Sequence, residues 1–563
     1  MYFPEKLTVK WLRNAYSEGL TPYDVAEEIL KRAENYKDKN IWITPPSMAL
    51  MAKYIDALPK DRENCPLWGI PFAIKDNIDL EQVPTTAACP EYSYIPEKNA
   101  FVVQKLIDAG AVPIGKTNLD QFATGLVGTR SPYGEVHNSY EDEMISGGSS
   151  SGSAVCVALG IAAFALGTDT AGSGRVPAML NTLVGYKPPL GSWSTGGVVP
   201  ACASLDCVTV FANDLEEARL VDSFAKGYDK DCDWSRHYEC RGDRLPDKIY
   251  LPKEEPRFFG DFAETYRTKW NNAVKRIENM GIKVEKIDYE MFSKAALILY
   301  EGAYVAERWQ DLKEFVENNP GKTFPVTEKI LRSGAKAENT AYRLFEDLHT
   351  LQKYRHITRD ILKGAVMIMP TAGGSFTRDE VREDPVGTNS LMGLYTNHCN
   401  LLDLAAIAVP ENTADRVKPF GITIFGLCDE ENIVCAAAEA FMKTESIKLG
   451  VCGLHKKGCA LESQLTELGG KFICHSRTSA DYRLYLLDTT PVKPGLVRSD
   501  KGNNIDMDIY SLPKNKLGEF MEKVNMPLNI GDIKLENGEY IKGFLCEAEA
   551  VKTAEDITEK GKF

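Results

Sequence analysis

The sequence predicts an α/β domain followed by a smaller α+β domain, with domains at residues 1–446 and 447–563. Two observations carry this prediction. In FVVQKLIDAGAVPIG an amphipathic helical pattern ends near Gly110, and the apolar run Ala111 to Ile114 then has the length of a buried strand. After residue 446, IKLGVCGLHKKG begins a new strand-like segment, and RLYLLDTT with PVKPGLVR alternates as an antiparallel sheet does.

Further elements of the first domain follow from local patterns. TPYDVAEEILKRAENY predicts a helix with Thr21 as N-cap and Pro22 at the first helical position. The apolar run AVCVALGIAAFALG predicts a buried helix, and the charge-rich stretch from about 208 to 365 holds helices such as DLEEARLVDSF and ERWQDLKEFVEN. Beyond it, VMIMP and KPFGITIFG are predicted strands, with the core-like segment LLDLAAIAVP between them.

Composition limits the classes of partner. The chain has 563 residues, 44% of them hydrophobic, and a formal net charge of −14. That charge disfavours nucleic acid or an anionic membrane as the main partner, so an anionic small substrate would need a local positive group. The N-terminal stretch lacks a signal-peptide core and no run of eighteen apolar residues occurs, so we expect a cytoplasmic protein without a membrane anchor.

The fourteen cysteines resemble reduced core thiols rather than a disulfide framework. Cys156 and Cys435, for example, lie in apolar segments. Cys232, His237 and Cys240 would be candidate metal ligands, but no second half with ligand spacing follows, and a surface loop fits them better. We expect neither a metal nor a cofactor.

Three short stretches carry the candidate chemistry. GTDTAGSGR places Ser173 between two glycines, where a sharp turn can aim several amide groups at one point, although this stretch alone is more typical of a simple turn. GGSSSGS, at 147–153, is a second serine and glycine loop. Lys75 follows the apolar segment Pro71 to Ile74; it either extends to solvent or is buried, and burial would lower its pKa and provide a neutral base.

Together these stretches resemble the amidase signature family, in order and in spacing, over about residues 20–440. The resemblance implies an α/β/α fold with a central mixed sheet. It also implies amide hydrolysis by a serine, cis-serine and lysine triad. Carried over by position, Ser173 is the nucleophile, Ser149 the bridging serine after a cis bond from Gly148, and Lys75 the base.

The resemblance also assigns supporting groups. The oxyanion would be bound by the backbone amides of Thr170, Ala171, Gly172 and Ser173. Asp169 and Arg175 would pair and fix the nucleophile loop, the alternative being a solvated surface pair. Asn118, Asp120 and Gln121 in GKTNLDQFATG would support the site without taking part in the chemistry.

Within this family the sequence is similar to allophanate hydrolases. AGSGRVPA and GGSSSGS are variants typical of that group. LYEGAYVAERW resembles the segment that supplies Tyr300 and Arg308 to a substrate carboxylate, and a guanidinium suits that task because it donates two parallel hydrogen bonds. From this stretch alone, a surface arginine paired with a glutamate is an equal alternative. In TGLVGTRSPYG, Gly125 is the position expected to offer backbone groups to the substrate.

Residues 447–563 resemble the tail domain of allophanate hydrolases, which implies a fold like that of γ-glutamylcyclotransferase. That domain is expected to assist decarboxylation of N-carboxycarbamate. His455, beside Lys456 and Lys457, is the first candidate residue and His475 the second. The alternative is a domain that only mediates dimerisation.

The resemblance therefore predicts an enzyme that converts allophanate to ammonia and carbon dioxide or bicarbonate in urea degradation. It implies a homodimer that acts after a urea carboxylase. Other amidases remain alternatives, such as a malonamidase or the A subunit of glutamyl-tRNA amidotransferase. A catalytically dead scaffold is the alternative from outside the enzymes, and the presence of Lys75, Ser149 and Ser173 together disfavours it.

Overall fold

The computed structural model describes residues 3–60, 62, 65–242, 244–411, 416–443 and 446–563. The chain divides into two compact units, Met1–Met442 and Lys443–Phe563. The larger unit is built around an 11-stranded sheet, and the smaller unit contains sheets of five and three strands.

The strands of the large sheet run in the order β1-β3-β2-β4-β6-β5-β10-β11-β9-β7-β8. Parallel and antiparallel neighbours both occur, so the predicted mixed sheet is confirmed. The strands are β1 (Trp42–Thr44), β2 (Pro71–Lys75), β3 (Val112–Thr117), β4 (Phe164–Asp169), β5 (Val184–Lys187), β6 (Cys207–Ala212), β7 (Lys248–Pro252), β8 (Lys283–Ile287), β9 (Ala365–Pro370), β10 (Leu404–Pro410) and β11 (Gly421–Leu427).

Helices surround this sheet, and the larger unit is α/β as the sequence predicts. They are α1 (Val9–Ser17), α2 (Pro22–Asn35), α3 (Met48–Ile55), α4 (Phe101–Asp108), α5 (Ser151–Ala158), α6 (Val176–Leu180), α7 (Leu215–Ala225), α8 (Ala263–Glu278), α9 (Glu290–Glu301), α10 (Val305–Asn318), α11 (Pro325–Ser333), α12 (Ala341–Leu362), α13 (Arg378–Glu383), α14 (Gly387–Met392), α15 (His398–Leu401) and α16 (Glu431–Met442).

Several predicted elements are confirmed. Helix α2 begins after Thr21, whose hydroxyl and the Asp24 carboxylate form a reciprocal capping box. Strand β3 follows α4 and Gly110, and VMIMP and GITIFGL form β9 and β11. The intervening core-like segment also supplies a strand, β10, which pairs antiparallel with β11.

The predicted helix over AVCVALGIAAFALG is wrong in its second half. Helix α5 ends at Ala158, Gly160 turns with φ +66°, and the chain from Phe164 enters β4. Every residue of this run except the partly buried Leu159 is buried, so the run shows no amphipathic period that could separate helix from strand.

The central strands position the site. Strands β2 and β4 are parallel neighbours, so Lys75, the last residue of β2, and Asp169, the last of β4, lie at the same edge of the sheet. Phe72 and Phe164 of these strands stack at 5.2 Å between ring centroids inside the main hydrophobic core. The loop that carries Ser173 leaves β4 at this edge.

The smaller unit is α+β. Its five-stranded sheet has the order β13-β16-β12-β18-β17, and its three-stranded sheet the order β15-β14-β19. The predicted antiparallel pair is confirmed as β14 with β15. The elements are β12 (Ser446–Val451), α17 (Ser463–Thr466), β13 (Lys471–Arg477), β14 (Tyr482–Leu487), β15 (Lys493–Arg498), β16 (Asp506–Pro513), α18 (Leu517–Glu522), β17 (Leu528–Lys534), β18 (Tyr540–Cys546) and β19 (Glu555–Asp556).

Among the described residues, no helix combines the length and the apolar character needed to cross a lipid bilayer.

Candidate active site

Lys75 is completely buried at the end of β2 and does not extend to solvent. Its Nζ lies 2.8 Å from Ser149 Oγ and 2.7 Å from Thr168 Oγ1. Burial lowers the pKa of this amine from 10.5 to about 7, against a smaller opposing effect of nearby carboxylates such as Asp120. The amine is therefore available as a neutral base near neutral pH.

Ser149 is held beside this lysine by its backbone. The Gly148–Ser149 peptide bond is cis, as the family resemblance implies. The Ser149 carbonyl accepts a hydrogen bond of 3.0 Å from the Asp120 amide, and the side chain is fully buried. Gly148 has no room for a side chain, because a Cβ there would lie 2.0 Å from the Asp120 carboxylate.

Ser173 lies in the turn between β4 and α6 and is buried. Its Oγ donates a long hydrogen bond of 3.4 Å to the Gly125 carbonyl. Within the described part of the chain, no hydrogen bond joins the hydroxyls of Ser173 and Ser149. The lysine and the bridging serine are thus in contact, whereas the nucleophile candidate points its hydroxyl toward the loop at Gly125.

The four amides expected to bind an oxyanion are not equivalent. The amide of Gly172 donates to Asp169 Oδ1 at 2.9 Å, so it is already engaged. The amides of Thr170, Ala171 and Ser173 donate no hydrogen bond to any residue that the structure describes. Three donors, rather than the expected four, are free in this conformation.

The predicted pairing of Asp169 with Arg175 is present and fully buried. Arg175 Nε and Nη2 donate to the two carboxylate oxygens of Asp169, both at 2.9 Å. Burial alone would raise the pKa of Asp169, but Arg175 outweighs it and holds the pKa below 3.8. Because Asp169 also accepts from the Gly172 and Gly174 amides, the ion pair fixes the turn on both sides of Ser173.

Asp120 organises the loop that faces Ser173. Its carboxylate accepts hydrogen bonds from the amides of Val127, Gly128 and Arg130. Asn118 and Gln121 bind backbone groups, including the Gly134 and Ala88 carbonyls, so they support the structure around the site. All three side chains thus hold backbone segments around the site, and their supporting role stays a prediction.

Arg308, in α10, is buried and has no carboxylate within 4 Å among the described residues. Its Nη1 lies 3.5 Å from Thr124 Oγ1, and its Nε is buried without a hydrogen-bond partner. The guanidinium lies over the ring of Tyr300, in α9, at 5.2 Å. The alternative of an exposed arginine paired with glutamate is therefore wrong: the neighbouring Glu307 binds the amide and hydroxyl of Ser204 instead.

Two further groups near the site were not anticipated. Thr168 Oγ1 is the second partner of Lys75, and it lies within the same GTDTAGSGR stretch. Asp206 is fully enclosed and accepts from the Thr170 hydroxyl and the Ala201 amide; burial raises its pKa to about 6. Nothing in the local pattern at 206 signals this, because the contact depends on β6 pairing with β4.

In the smaller unit, His455 lines a mainly apolar cavity. Its ring stacks on Phe544 at 5.1 Å, and its Nε2 is 3.0 Å from Gln464 Oε1. Burial lowers the pKa of His455, which favours the neutral imidazole. A neutral, partly enclosed ring is a poor attractor for a dianion.

His475, in contrast, opens onto a polar cavity of about 330 Å³ that is lined by residues of both charges: Lys456, Arg477, Asp506, Asp508 and Glu536. Its Nδ1 lies 2.6 Å from Oδ1 of the buried Asp508, and its side chain is 75% exposed. The other Asp508 oxygen accepts from the Lys457 amide. A carboxylate fixes the ring in this way in many acid and base sites.

In the part of the chain that the structure describes, no group of three or more histidine, cysteine, aspartate or glutamate side chains is arranged to hold a metal ion. His237, from the loop considered for metal binding, stacks on Tyr228 at 3.8 Å between centroids.

Comparisons with known proteins identify relatives of this chain. A structure of Kluyveromyces lactis allophanate hydrolase matches with a TM-score of 0.72 and 36% identity, over 99% of this chain and 98% of that one. Urea amidolyase of Saccharomyces cerevisiae is 40% identical over 93% of this chain, which spans only 31% of the yeast protein. The A subunit of glutamyl-tRNA(Gln) amidotransferase from Methanosarcina acetivorans is 32% identical over 78% of this chain and 97% of the subunit.

Two family models match the chain. The allophanate hydrolase C-terminal domain matches residues 447–563. The amidase model matches residues 24–435, well over half of the chain, and includes Lys75, Ser149 and Ser173. The chain therefore belongs to the amidase family of amidohydrolases and carries an allophanate hydrolase C-terminal domain.

Proposed function

We propose that this enzyme hydrolyses the terminal amide of allophanate, urea-1-carboxylate. The observation that carries the proposal is the buried Arg308, a cation without a carboxylate partner among the described residues, beside Thr124 and hence one residue from Gly125. The Gly125 carbonyl is the hydrogen-bond partner of Ser173. The nucleophile candidate and the guanidinium therefore contact adjacent residues of one loop. A small substrate with an amide at one end and a carboxylate at the other suits this arrangement.

In the proposed mechanism Lys75 acts as a neutral amine. It takes the proton of Ser149 through their 2.8 Å contact, while Ser149 takes that of Ser173. For this transfer the Ser173 side chain rotates from the Gly125 carbonyl toward Ser149. The Ser173 oxygen then attacks the amide carbon, and the developing oxyanion accepts from the free amides of Thr170, Ala171 and Ser173.

The second half of the cycle reverses the proton transfer. The relay protonates the leaving nitrogen, ammonia departs, and water cleaves the acyl-enzyme on Ser173 to give N-carboxycarbamate. Loss of carbon dioxide and a second hydrolysis complete the conversion to two ammonia and two carbon dioxide or bicarbonate per allophanate.

We expect allophanate to be hydrolysed much faster than biuret, its neutral analogue in which an amide replaces the carboxylate. Arg308→Gln should lower kcat/KM for allophanate about 10²-fold, because the carboxylate loses its charged partner. Biuret hydrolysis should hardly change. Ammonia release from both substrates, with Arg308→Lys as the charge-conserving control, measures this. Faster turnover of malonamide or glutamine than of allophanate would instead favour another amidase activity.

We further propose that residues 1–446 and 447–563 divide the reaction, with the second domain assisting decarboxylation. From the sequence alone, His455 is the first candidate for the residue that assists decarboxylation. The geometry around His475 supports it better, because an exposed imidazole bound to Asp508 can protonate the nitrogen from which carbon dioxide leaves. Lys456 in the same cavity would attract the dianion, whereas Arg477 there is already paired with Asp506.

His475→Asn should make carbon dioxide release lag behind the first ammonia by about tenfold or more in time, since general acid catalysis typically contributes at least that much. His455→Asn is the matched control and should leave the two products in step. Parallel stopped assays of ammonia and total carbonate give the readout. Equal behaviour of both variants and the unchanged protein would favour a domain that only mediates dimerisation.

The proposed setting is the cytoplasm, where the enzyme would act as a homodimer after a urea carboxylase. The link to carboxylation is supported by the matched relatives called urea amidolyase, which are about three times as long as this chain. Light scattering of the purified protein, at several concentrations, measures the oligomeric state directly.

A further inference from the structure

Arg130 is a second buried arginine near Arg308. It is only 2% exposed. Its Nη1 donates to the Thr124 carbonyl at 2.9 Å and its Nη2 to the Pro385 carbonyl at 2.6 Å, while its Nε has no partner. Both acceptors are neutral. Unlike Arg175, which is fully paired with Asp169, Arg130 has no carboxylate within 4 Å in the described part of the chain.

The two guanidiniums meet at one residue. Arg130 binds the carbonyl of Thr124, and Arg308 Nη1 lies 3.5 Å from the hydroxyl of the same threonine. Burial lowers the pKa of Arg130; the nearby Asp120 carboxylate opposes this shift, and the charge of Arg308 adds to it. Two like charges buried this closely are costly unless an anion lies near both of them.

The position of this pair relates it to the reacting centre. Thr124 directly precedes Gly125, whose carbonyl accepts the Ser173 hydroxyl. The Arg308 guanidinium of the pair lies over the ring of Tyr300 at 5.2 Å. The loop of Arg130 and the helix of Arg308 therefore converge on one side of the nucleophile.

We propose that Arg130 and Arg308 together form the binding site for the carboxylate of an amide substrate, with Arg130 as a further specificity-determining residue. This inference rests on the proposed function, because it assigns the ligand of that site. Two guanidiniums select a small acyl group that carries a carboxylate over its neutral isostere. A purely structural Arg130, bracing two carbonyls, would affect charged and neutral substrates alike.

The test compares allophanate with biuret. Arg130→Gln should raise KM for allophanate about tenfold to a hundredfold, with a smaller effect on kcat and little change for biuret. Arg130→Lys should recover part of the loss because it keeps the charge. Arg32→Gln is the control for loss of a buried arginine away from the site, since Arg32 also binds carbonyls, those of Glu5 and Gly160, but is in addition paired with Glu28. Equal losses on both substrates in Arg130→Gln would overturn the proposal.

A binding measurement separates this inference from the proposed reaction. Calorimetric titration of malonate, a small dicarboxylate, into Ser173→Ala protein needs no turnover. We expect binding that weakens at least tenfold when Arg130→Gln is added. If allophanate is not a substrate but malonate binds in this way, only the proposed reaction fails. Malonate that does not bind, or binds equally to both proteins, overturns the anion site itself.

Discussion

Replacing Ser173 by alanine should lower amide hydrolysis by about 10⁴-fold or more, the size of loss expected when a covalent nucleophile is removed. The reason is geometric as well as chemical. Ser173 stands in a turn held on both sides by Asp169, next to amides that are free to bind an oxyanion. No other hydroxyl occupies that position in the turn. Steady-state ammonia release, with thermal unfolding to confirm the fold, measures the loss.

Ser153 offers the matched control for this variant. It is equally buried, and its hydroxyl donates to the Leu166 carbonyl at 2.8 Å behind the sheet edge. Ser153→Ala should lower the free energy of unfolding by about 1 kcal/mol and leave turnover nearly unchanged. If Ser173→Ala kept a tenth of the activity, another residue would have to be the nucleophile. If the unchanged protein were itself inactive, the alternative of a catalytically dead scaffold would apply.

Replacing Lys75 by methionine should lower kcat/KM by about 10³-fold or more at every pH. In the unchanged protein kcat/KM should fall as the pH drops below about 7, because protonation of the buried amine removes the base. Above that pH the amine is neutral and the rate should level off. A pH profile of kcat/KM over roughly pH 5 to 9, which brackets that pKa, measures the acid limb.

Lys116 is a matched control for Lys75. It is also fully buried, at the end region of the neighbouring strand β3, and its Nζ contacts Thr85 Oγ1 and, at 3.4 Å, Asp76 Oδ1. Lys116→Met should destabilise the protein, because Asp76 loses its partner, yet the midpoint of the acid limb should stay near 7. An acid limb that moves in Lys116→Met, or a Lys75→Met protein that remains active, would contradict the assignment of the base.

The sequence predicts well those parts of the molecule that depend on short stretches. Lys75, Ser149 and Ser173 each lie in a motif a few residues long, and the pairing of Asp169 with Arg175 needs only a tight turn. Strands such as β9 and β11 are visible as apolar runs of strand length. The prediction of a helix over residues 154–167 fails in its second half, because burial on all sides removes the periodic signal that separates helix from strand.

What escapes prediction depends on contacts between distant segments. The engagement of the Gly172 amide, the position of Asp206 and the approach of Arg308 to Thr124 all arise from tertiary packing. The choice between His455 and His475 is of the same kind. Only the fold reveals that one ring is enclosed by Phe544 and that the other is bound to Asp508 across two strands.

The parallel pairing of β2 with β4 has a further consequence for how new specificities can be built on this scaffold. The proposed base ends one strand and the proposed nucleophile follows the other, so the pairing of β2 with β4 brings both to the same edge of the sheet. Tyr300 and Arg308 come instead from α9 and α10, outside the sheet. We therefore expect single substitutions on the substrate-facing side of α9 and α10 to change the acyl preference without moving β2 or β4, whereas exchange of the whole segment would also disturb Ala171, which packs against Phe292 and Leu299.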